Sequence, residues 1–223
     1  MQHPKPAKLS DFGDDFDIQL RANRLFAEAP VGNVYTYFLD QSIEAPDDYR
    51  DLTLLLMTAK PEDTIKLIIN GPGGQVDSAV QICNLIAACP ALVEGHIVGD
   101  ACSADAFIAL ACHSWVMYPT ARIMIHSYSG GVIGSQQTIQ SSVESSKRQI
   151  EHFIKMLASP FLTDEELHDV LNNGRDVWIH QDEFVERFER VVAFREQESK
   201  RIELAQLNAQ MEAVQAAIAT HNE

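Results

Sequence analysis

From Val34 to Ile125 short apolar runs alternate with segments whose apolar residues recur at helical spacing, and this alternation restricts the chain more than any other feature. Val34 to Leu39 is β-branched and aromatic, Asp47 to Ala59 sets Leu52, Leu55 and Leu56 at helical spacing, and Ile65 to Ile69 is a short apolar strand. Asp77 or Ser78 can cap a helix carrying Val80, Ile82, Leu85 and Ile86, which must end before Pro90. Leu92 to Val98 reads as strand, Ala104 to Ala111 as helix, and Trp115 to Tyr118 and Ile123 to Ile125 as strands. Strands separated by helices need crossover connections, so the expectation is an α/β fold on a largely parallel sheet.

The segments outside this body behave differently. Residues 1–24 place Pro4, Pro6, Gly13 and the cluster Asp11, Asp14, Asp15 and Asp17 around isolated apolar residues, the composition of a mobile arm. From Ser135 to Leu157 a long amphipathic helix is expected, with Ile139, Val143, Ile150, Phe153, Ile154 and Leu157 on one stripe. Thr163 and Glu166 form a capping box for a short helix that Asn172-Asn173-Gly174 terminates, delivering Arg175 and Asp176 to the strand-like Val177-Trp178-Ile179. The main domain is therefore expected over 25–192. In the polar, alanine-rich extension 193–223, Leu204, Leu207, Met211, Val214 and Ile218 make a short heptad seam that can dock on the body, pair with a neighbouring subunit or stay frayed.

With 223 residues, 46% of them apolar, the chain can bury one sizeable core. A formal charge of −15 argues against a general nucleic-acid binder, which needs a basic face for phosphates. Cys83, Cys89, Cys102 and Cys112 include no C-x-x-C pair, sit in apolar stretches and follow no secretory signal, so buried reduced thiols of a cytoplasmic protein are expected, with neither disulfides nor zinc. No apolar stretch reaches the roughly 18 residues of a membrane span, and no metal or cofactor is called for.

The chemistry concentrates in three places. Ser103 lies among small residues where an apolar run gives way to a helical one, a setting for an exposed nucleophile. His126 ends the run Ile123-Met124-Ile125 and opens the loop Ser127-Tyr128-Ser129-Gly130-Gly131, where backbone can approach a substrate. A hydroxyl becomes a good nucleophile only when a base takes its proton, and His126 is the candidate base. Asp176 is the candidate orienting acid, with Asp169 and Asp182 as rivals. The order Ser, His, Asp is not that of the α/β-hydrolases, chymotrypsin or subtilisin, and no G-x-S-x-G elbow is present, which disfavours an ordinary lipase or esterase.

Gly71-Pro72-Gly73-Gly74, Ala101-Cys102-Ser103-Ala104 and Arg122-Ile123-Met124-Ile125-His126 resemble, in order and spacing, three signature blocks of ClpP, the proteolytic subunit of the Clp protease, over about Val34 to Val192. The resemblance implies an α/β fold of the ClpP/crotonase type, a spiral of β-β-α units, with helix 135–157 projecting as a handle that interlocks two rings. It implies a serine endopeptidase with the triad Ser103, His126 and Asp176. Gly74 and Ala104 would donate backbone N–H groups to the oxyanion, and Gly73, Gly130 and Gly131 would pair with an extended peptide. The substrates implied are unfolded polypeptides, enclosed by heptameric or tetradecameric stacked rings. An AAA+ unfoldase would feed them, because the chain carries no G-x-x-x-x-G-K-[ST] loop of its own.

The chain also departs from that pattern. Ala104 stands where the family commonly has methionine, Cys102 where it has alanine, and Asp105 where it has a small neutral residue. The segment between Ser103 and His126 is shorter than in bacterial members and the arm is unusual, which fits a divergent, phage- or plasmid-encoded member. Asp105 in a first helical turn complements the helix dipole, or near the nucleophile it alters peptide preference. A ring subunit that does not cleave, a crotonase-like acyl-CoA enzyme and a capsid-maturation protease are the competing readings.

Overall fold

The computed structural model describes residues 25–28, 32–127, 130 and 133–221, so the expected arm 1–24 lies outside the described residues. Leu25–Glu28 (β1) pairs antiparallel with Val34–Leu39 (β2). A 3-10 turn, Pro46–Tyr49, runs into the helix Arg50–Thr58 (α1), whose Leu52, Leu55 and Leu56 are the buried face that the spacing anticipates. Thr64–Gly71 (β3) lies parallel to β2, with burial alternating along it as expected for a strand between two layers.

Val76–Ala88 (α2) begins two or three residues earlier than the capping signals suggest, because Gln75 occupies the N-cap position without a side-chain bond. Ser78 is instead buried inside the first turn, where its Oγ donates to the Glu44 carbonyl at 2.6 Å. Leu92–Cys102 (β4) also outruns its expected end at Val98. Asp100 lies beyond that expected end, yet its N–H donates to Asn70 Oδ1 at 3.1 Å and its carboxylate binds Arg122 at 2.6 and 2.9 Å, which holds the chain extended.

The helix Ala104–Ala111 (α3) follows, then Ser114–Met117 (β5) and Arg122–Ile125 (β6). The long β4 serves both: its first half pairs with β5 and its second half with β6, each in parallel register. Gln136–Ala158 (α4), capped by the Ser135 hydroxyl, and Asp164–His168 (α5), with its Thr163–Glu166 capping box formed, fall where the sequence signals set them. A π-helical turn, Asp169–Asn173, ends on Gly174 at φ 64° and leads into Val177–His180 (β7). β7 closes the sheet antiparallel to β6, giving the order β1-β2-β3-β4-β6-β7 with β5 beside β4. Crossovers between β2 and β6 are parallel, as the alternation of elements implies.

The core lies between this sheet and α1 to α4, filled by Leu67, Ile69, Ile97, Ile108 and Leu56 at 0–1% exposure. Burying each such side chain contributes roughly 1.5–3 kcal/mol. α4 divides in two: Ile150, Phe153, Ile154 and Ala158 are buried, whereas Ile139 and Val143 are 38% and 52% exposed. Phe153 meets Phe107 of α3 with ring centroids 5.2 Å apart.

The final helix, Gln181–His221 (α6), is continuous through the boundary drawn at 192. Its first half docks through Phe184 and Phe188, the latter 4.1 Å from Trp115 and 5.0 Å from Phe161 between centroids. Arg187, 7% exposed, binds Glu166 through both carboxylate oxygens at 2.8 Å and Glu183 at 2.6 Å. The Arg187 hydrogen bonds hold the Glu166 carboxyl down at about 2. Farther along, Leu204, Leu207 and Met211 of the heptad seam are more than half exposed in the single chain.

Candidate active site

Where β4 ends, the backbone turns sharply into α3, and Ser103 makes the turn. It is the sole non-glycine residue with positive φ among the described residues, at φ 54° and ψ −116°. Such a conformation costs about 1–3 kcal/mol and persists only when its surroundings hold it. Here they do: Ser103 N–H donates to the Met124 carbonyl of β6 at 2.8 Å, and the Ser103 carbonyl accepts from Phe107 N–H at 3.2 Å. The strained turn leaves the hydroxyl free of any capping bond and aims it at the end of β6. There His126 Nε2 lies 2.7 Å from Ser103 Oγ. With Nδ1 carrying the proton, Nε2 accepts from the hydroxyl, the geometry that lets an imidazole activate a serine.

The Gly73-Gly74 segment forms a strap against this turn. Gly73 has φ 91°, and a Cβ on it would stand 2.6 Å from Ser103 Cβ and 3.0 Å from Ala104 N, an approach that glycine alone permits. Ile43 fastens the strap from the other side: its N–H donates to the Gly73 carbonyl and its carbonyl accepts from Gln75 N–H, both at 2.8 Å. Gly74, between them, is the residue bridged to Ile43, and its own N–H takes part in neither of these two bonds. Ala104 opens α3, so its N–H has no acceptor within the helix. Gly74, Ser103, Ala104 and His126 thus line one small cavity of about 70 Å³, walled by Val76, Phe107 and Phe153.

Gly130 lines a second cavity with Ser127, Val143 and Ile150, next to the first. Gly131 lies outside the described residues. Asp176 is not joined to His126 by a hydrogen bond among the described residues. The register Met124↔Trp178 and Ile125↔Val177 nevertheless runs directly toward it, and one further step sets His126 opposite Asp176. The Asp176 side chain lines a surface cavity with Glu165, Asp169 and Arg175. Of its rivals, Asp169 is bound by Asn173 at 2.7 Å and Arg175 at 2.9 Å, hydrogen bonds that hold its carboxyl below the usual range. Asp182 sits in the first turn of α6.

Two features of the site escape sequence reasoning. Arg122 clamps Asp100 and stacks over Trp178, with its guanidinium 4.8 Å from the ring, so one side chain ties β4, β6 and β7 together beneath the Ser103–His126 pair. Asp105, read as a first-turn acid that complements the helix dipole or acts on peptide preference, is fully buried behind the Gly73-Gly74 strap. The acid at 105 and the glycine at 71 meet only in the fold, so no local signal marks this burial.

All four cysteines are buried free thiols, and burial pushes the thiols of Cys83, Cys89, Cys102 and Cys112 up. Among the described residues no cluster of histidine, cysteine or carboxylate side chains could hold a metal ion, and no helix is long and apolar enough to cross a membrane.

Comparison with known proteins gives a consistent family. The Clp protease family matches residues 37–204. The ATP-dependent Clp protease proteolytic subunit 1 of Chlamydia felis is 36% identical over 89 residues, 39% of this chain and 44% of that protein. Proteolytic subunit 2 of Chlamydia trachomatis is 32% identical over 107 residues, 47% of this chain and 53% of that protein. Proteolytic subunit 2 of Mycolicibacterium paratuberculosis is 33% identical over 93 residues, 41% of this chain and 47% of that protein. The chain spans about half the length of the curated relatives it matches. With the family's match extending from β2 into α6, across both the strained serine turn and the histidine facing it, this α/β chain belongs to the Clp protease family.

Proposed function

We propose that the chain is a serine endopeptidase that cleaves unfolded polypeptides. The observation that carries the reading is the 2.7 Å contact between Ser103 Oγ and His126 Nε2 at a strained strand-to-helix turn. A serine serving only as a helix cap would keep its hydroxyl on the helix N–H groups and would not need positive φ. A ring subunit without activity, or an acyl-CoA enzyme of related fold, has no use for this pairing.

In the proposed reaction His126 Nε2 takes the Ser103 proton as Oγ attacks the scissile carbonyl carbon. The carbonyl oxygen, becoming an anion, receives the N–H groups of Gly74 and Ala104, a contribution of about 2.7–4 kcal/mol for each donor in comparable sites. His126 then protonates the departing amine, and water, activated by the same imidazole, hydrolyses the acyl-enzyme. Asp176, one step beyond the Ile125↔Val177 pair, would accept the Nδ1–H and fix the tautomer. The apolar wall of Val76, Phe107 and Phe153 favours an apolar side chain beside the cleaved bond. Gly73 and Gly130 offer backbone to an extended peptide, which suits broad sequence tolerance.

Broad tolerance calls for confinement, and the exposed half of α4 is the element available to join rings. The proposed setting is a cytoplasmic stacked-ring chamber, heptameric in each ring and fed by an AAA+ unfoldase. Reaction with a fluorophosphonate followed by intact-mass measurement tests the chemistry. One adduct per chain, absent from Ser103→Ala and slowed in His126→Ala, is expected. An unmodified wild-type chain would overturn the reading.

A further inference from the structure

Asp105 follows the candidate oxyanion donor Ala104, is 0% exposed, and has no part in the chemistry above. Its Oδ2 accepts a hydrogen bond from Gly73 N–H at 2.8 Å, while its Oδ1 is buried without a partner. The carboxyl has room because position 71 is glycine: a Cβ there would stand 2.3 Å from Asp105 Oδ2 and 3.0 Å from Asp105 Cγ. Gly71 makes the last rung between β3 and β4, opposite Ala101, after a register shift that follows Ile69. The carboxyl therefore occupies the seam where the strap leaves the sheet. The residue it grips, Gly73, is the one whose backbone presses on Ser103.

We propose that Asp105 is a positioning residue which, from the space left by Gly71, holds the Gly73 N–H and so fixes the strap with Gly74 facing the oxyanion. The inference rests on the serine-peptidase reading and deepens it. The Gly73 carbonyl is already held by Ile43 N–H. With its N–H held by Asp105, the peptide unit on each side of Gly73 is tied, and a residue at φ 91° loses its freedom to swing Gly74 away. Stability alone does not account for an acid here. Burial pushes the carboxyl up to about 7, opposed only by the Gly73 N–H. No cation among the described residues offsets that burial through charge, so the Gly73 N–H is the one interaction that favours the carboxylate.

The test uses the full-length assembled protein and reads two quantities, the fluorophosphonate labelling rate of Ser103 and hydrogen exchange in the segment containing Gly73. Asp105→Ala is expected to slow labelling about tenfold to hundredfold, the scale of a misplaced oxyanion donor. It should also speed exchange at Gly73 without lowering the melting temperature. Asp105→Asn, which keeps an acceptor oxygen, should recover most of the rate. Gly71→Ala puts a methyl group where the carboxyl sits and should slow labelling similarly, and the double variant Gly71→Ala/Asp105→Ala should be no slower than either single change.

Wild-type labelling rates in Asp105→Ala, or losses that merely follow the melting temperature across all variants, would overturn the inference. Failure of the wild type to label would remove the peptidase reading and the catalytic half of this one. Exchange at Gly73 would still speak to the contact itself, and unchanged protection in Asp105→Ala would overturn that as well.

Discussion

Arg195 of α6 donates to the Cys112 carbonyl at 2.7 Å and to the Leu110 carbonyl, capping the C-terminal end of α3 from 83 residues away in sequence. Its guanidinium also lies 5.0 Å from the centre of the Trp115 ring. The helix that carries Ser103 at its N-terminus is thus anchored at its other end by the start of the C-terminal extension. A cation at a helix C-terminus interacts favourably with the exposed carbonyls, the more so when half removed from water.

Replacing Arg195 by methionine should lower the unfolding free energy by about 1–3 kcal/mol, because buried carbonyls lose their donor. Removing the residues after Lys200 should leave that free energy unchanged while altering the assembly, since Leu204, Leu207 and Met211 of the seam are exposed in the single chain. Chemical denaturation and native mass measurement read the two effects separately. An unchanged assembly after truncation would mean that the seam packs on no neighbour.

Val143 reports on ring stacking more cleanly than Ile150. Ile150 is 9% exposed and packed into the core, so a charge there disrupts the fold, whereas Val143 on the same stripe is 52% exposed. Val143→Asp should leave the melting temperature of the single ring intact and halve the native mass of the assembly. A stable double ring in this variant would mean that the exposed half of α4 does not join the rings.

His126→Ala and Asp176→Ala should be strongly non-additive. If the three side chains act as one unit, the double variant loses little more turnover than His126→Ala alone, itself on the order of 10⁴-fold or more slower than wild type. Steady-state cleavage of an unfolded substrate measures this. Multiplicative losses would remove Asp176 from the triad and return attention to Asp182.

Stability should depend on pH through Asp105. Burial raises its carboxyl from 3.8 to about 7 in the folded chain, so folding favours the protonated form. That contribution is fully present below about pH 4 and is lost as pH rises through about 7, a change on the order of 4 kcal/mol. Other carboxylates act in the opposite direction, so the quantity to measure is the difference between wild type and Asp105→Asn. This difference should shift in favour of the variant between pH 4 and 8. A constant difference would mean that Asp105 does not titrate with an elevated pKa.

The local signals in the sequence were those that depend on near neighbours. The Thr163–Glu166 box forms because its partners are three residues apart, and helix 136–158 follows from spacing alone. Ser103 and His126 were legible because each stands at the end of an apolar run, where a strand has to stop. What stayed hidden depends on long-range contact. Ser78 reads as a cap until the Glu44 carbonyl takes its hydroxyl. Asp105 reads as a first-turn acid complementing the helix dipole until Gly71 vacates the space that buries it. Asp100 lies beyond the expected strand end until Asn70 and Arg122 secure it in β4. No pattern along the chain encodes any of these partners.

The joint service of β4 to two neighbours decides which parts of the site move together. Cys102 pairs with Met124, and Ser103 N–H is bonded to the Met124 carbonyl, two residues before His126. A displacement of β6 therefore carries the histidine and the serine turn as one piece, and their separation survives it. Asp176 immediately precedes β7, an edge strand whose four paired residues join the sheet on one side only. With Asp176 as the proposed orienting acid, a displacement of this edge strand would change its distance to His126 while Ser103 and His126 keep theirs.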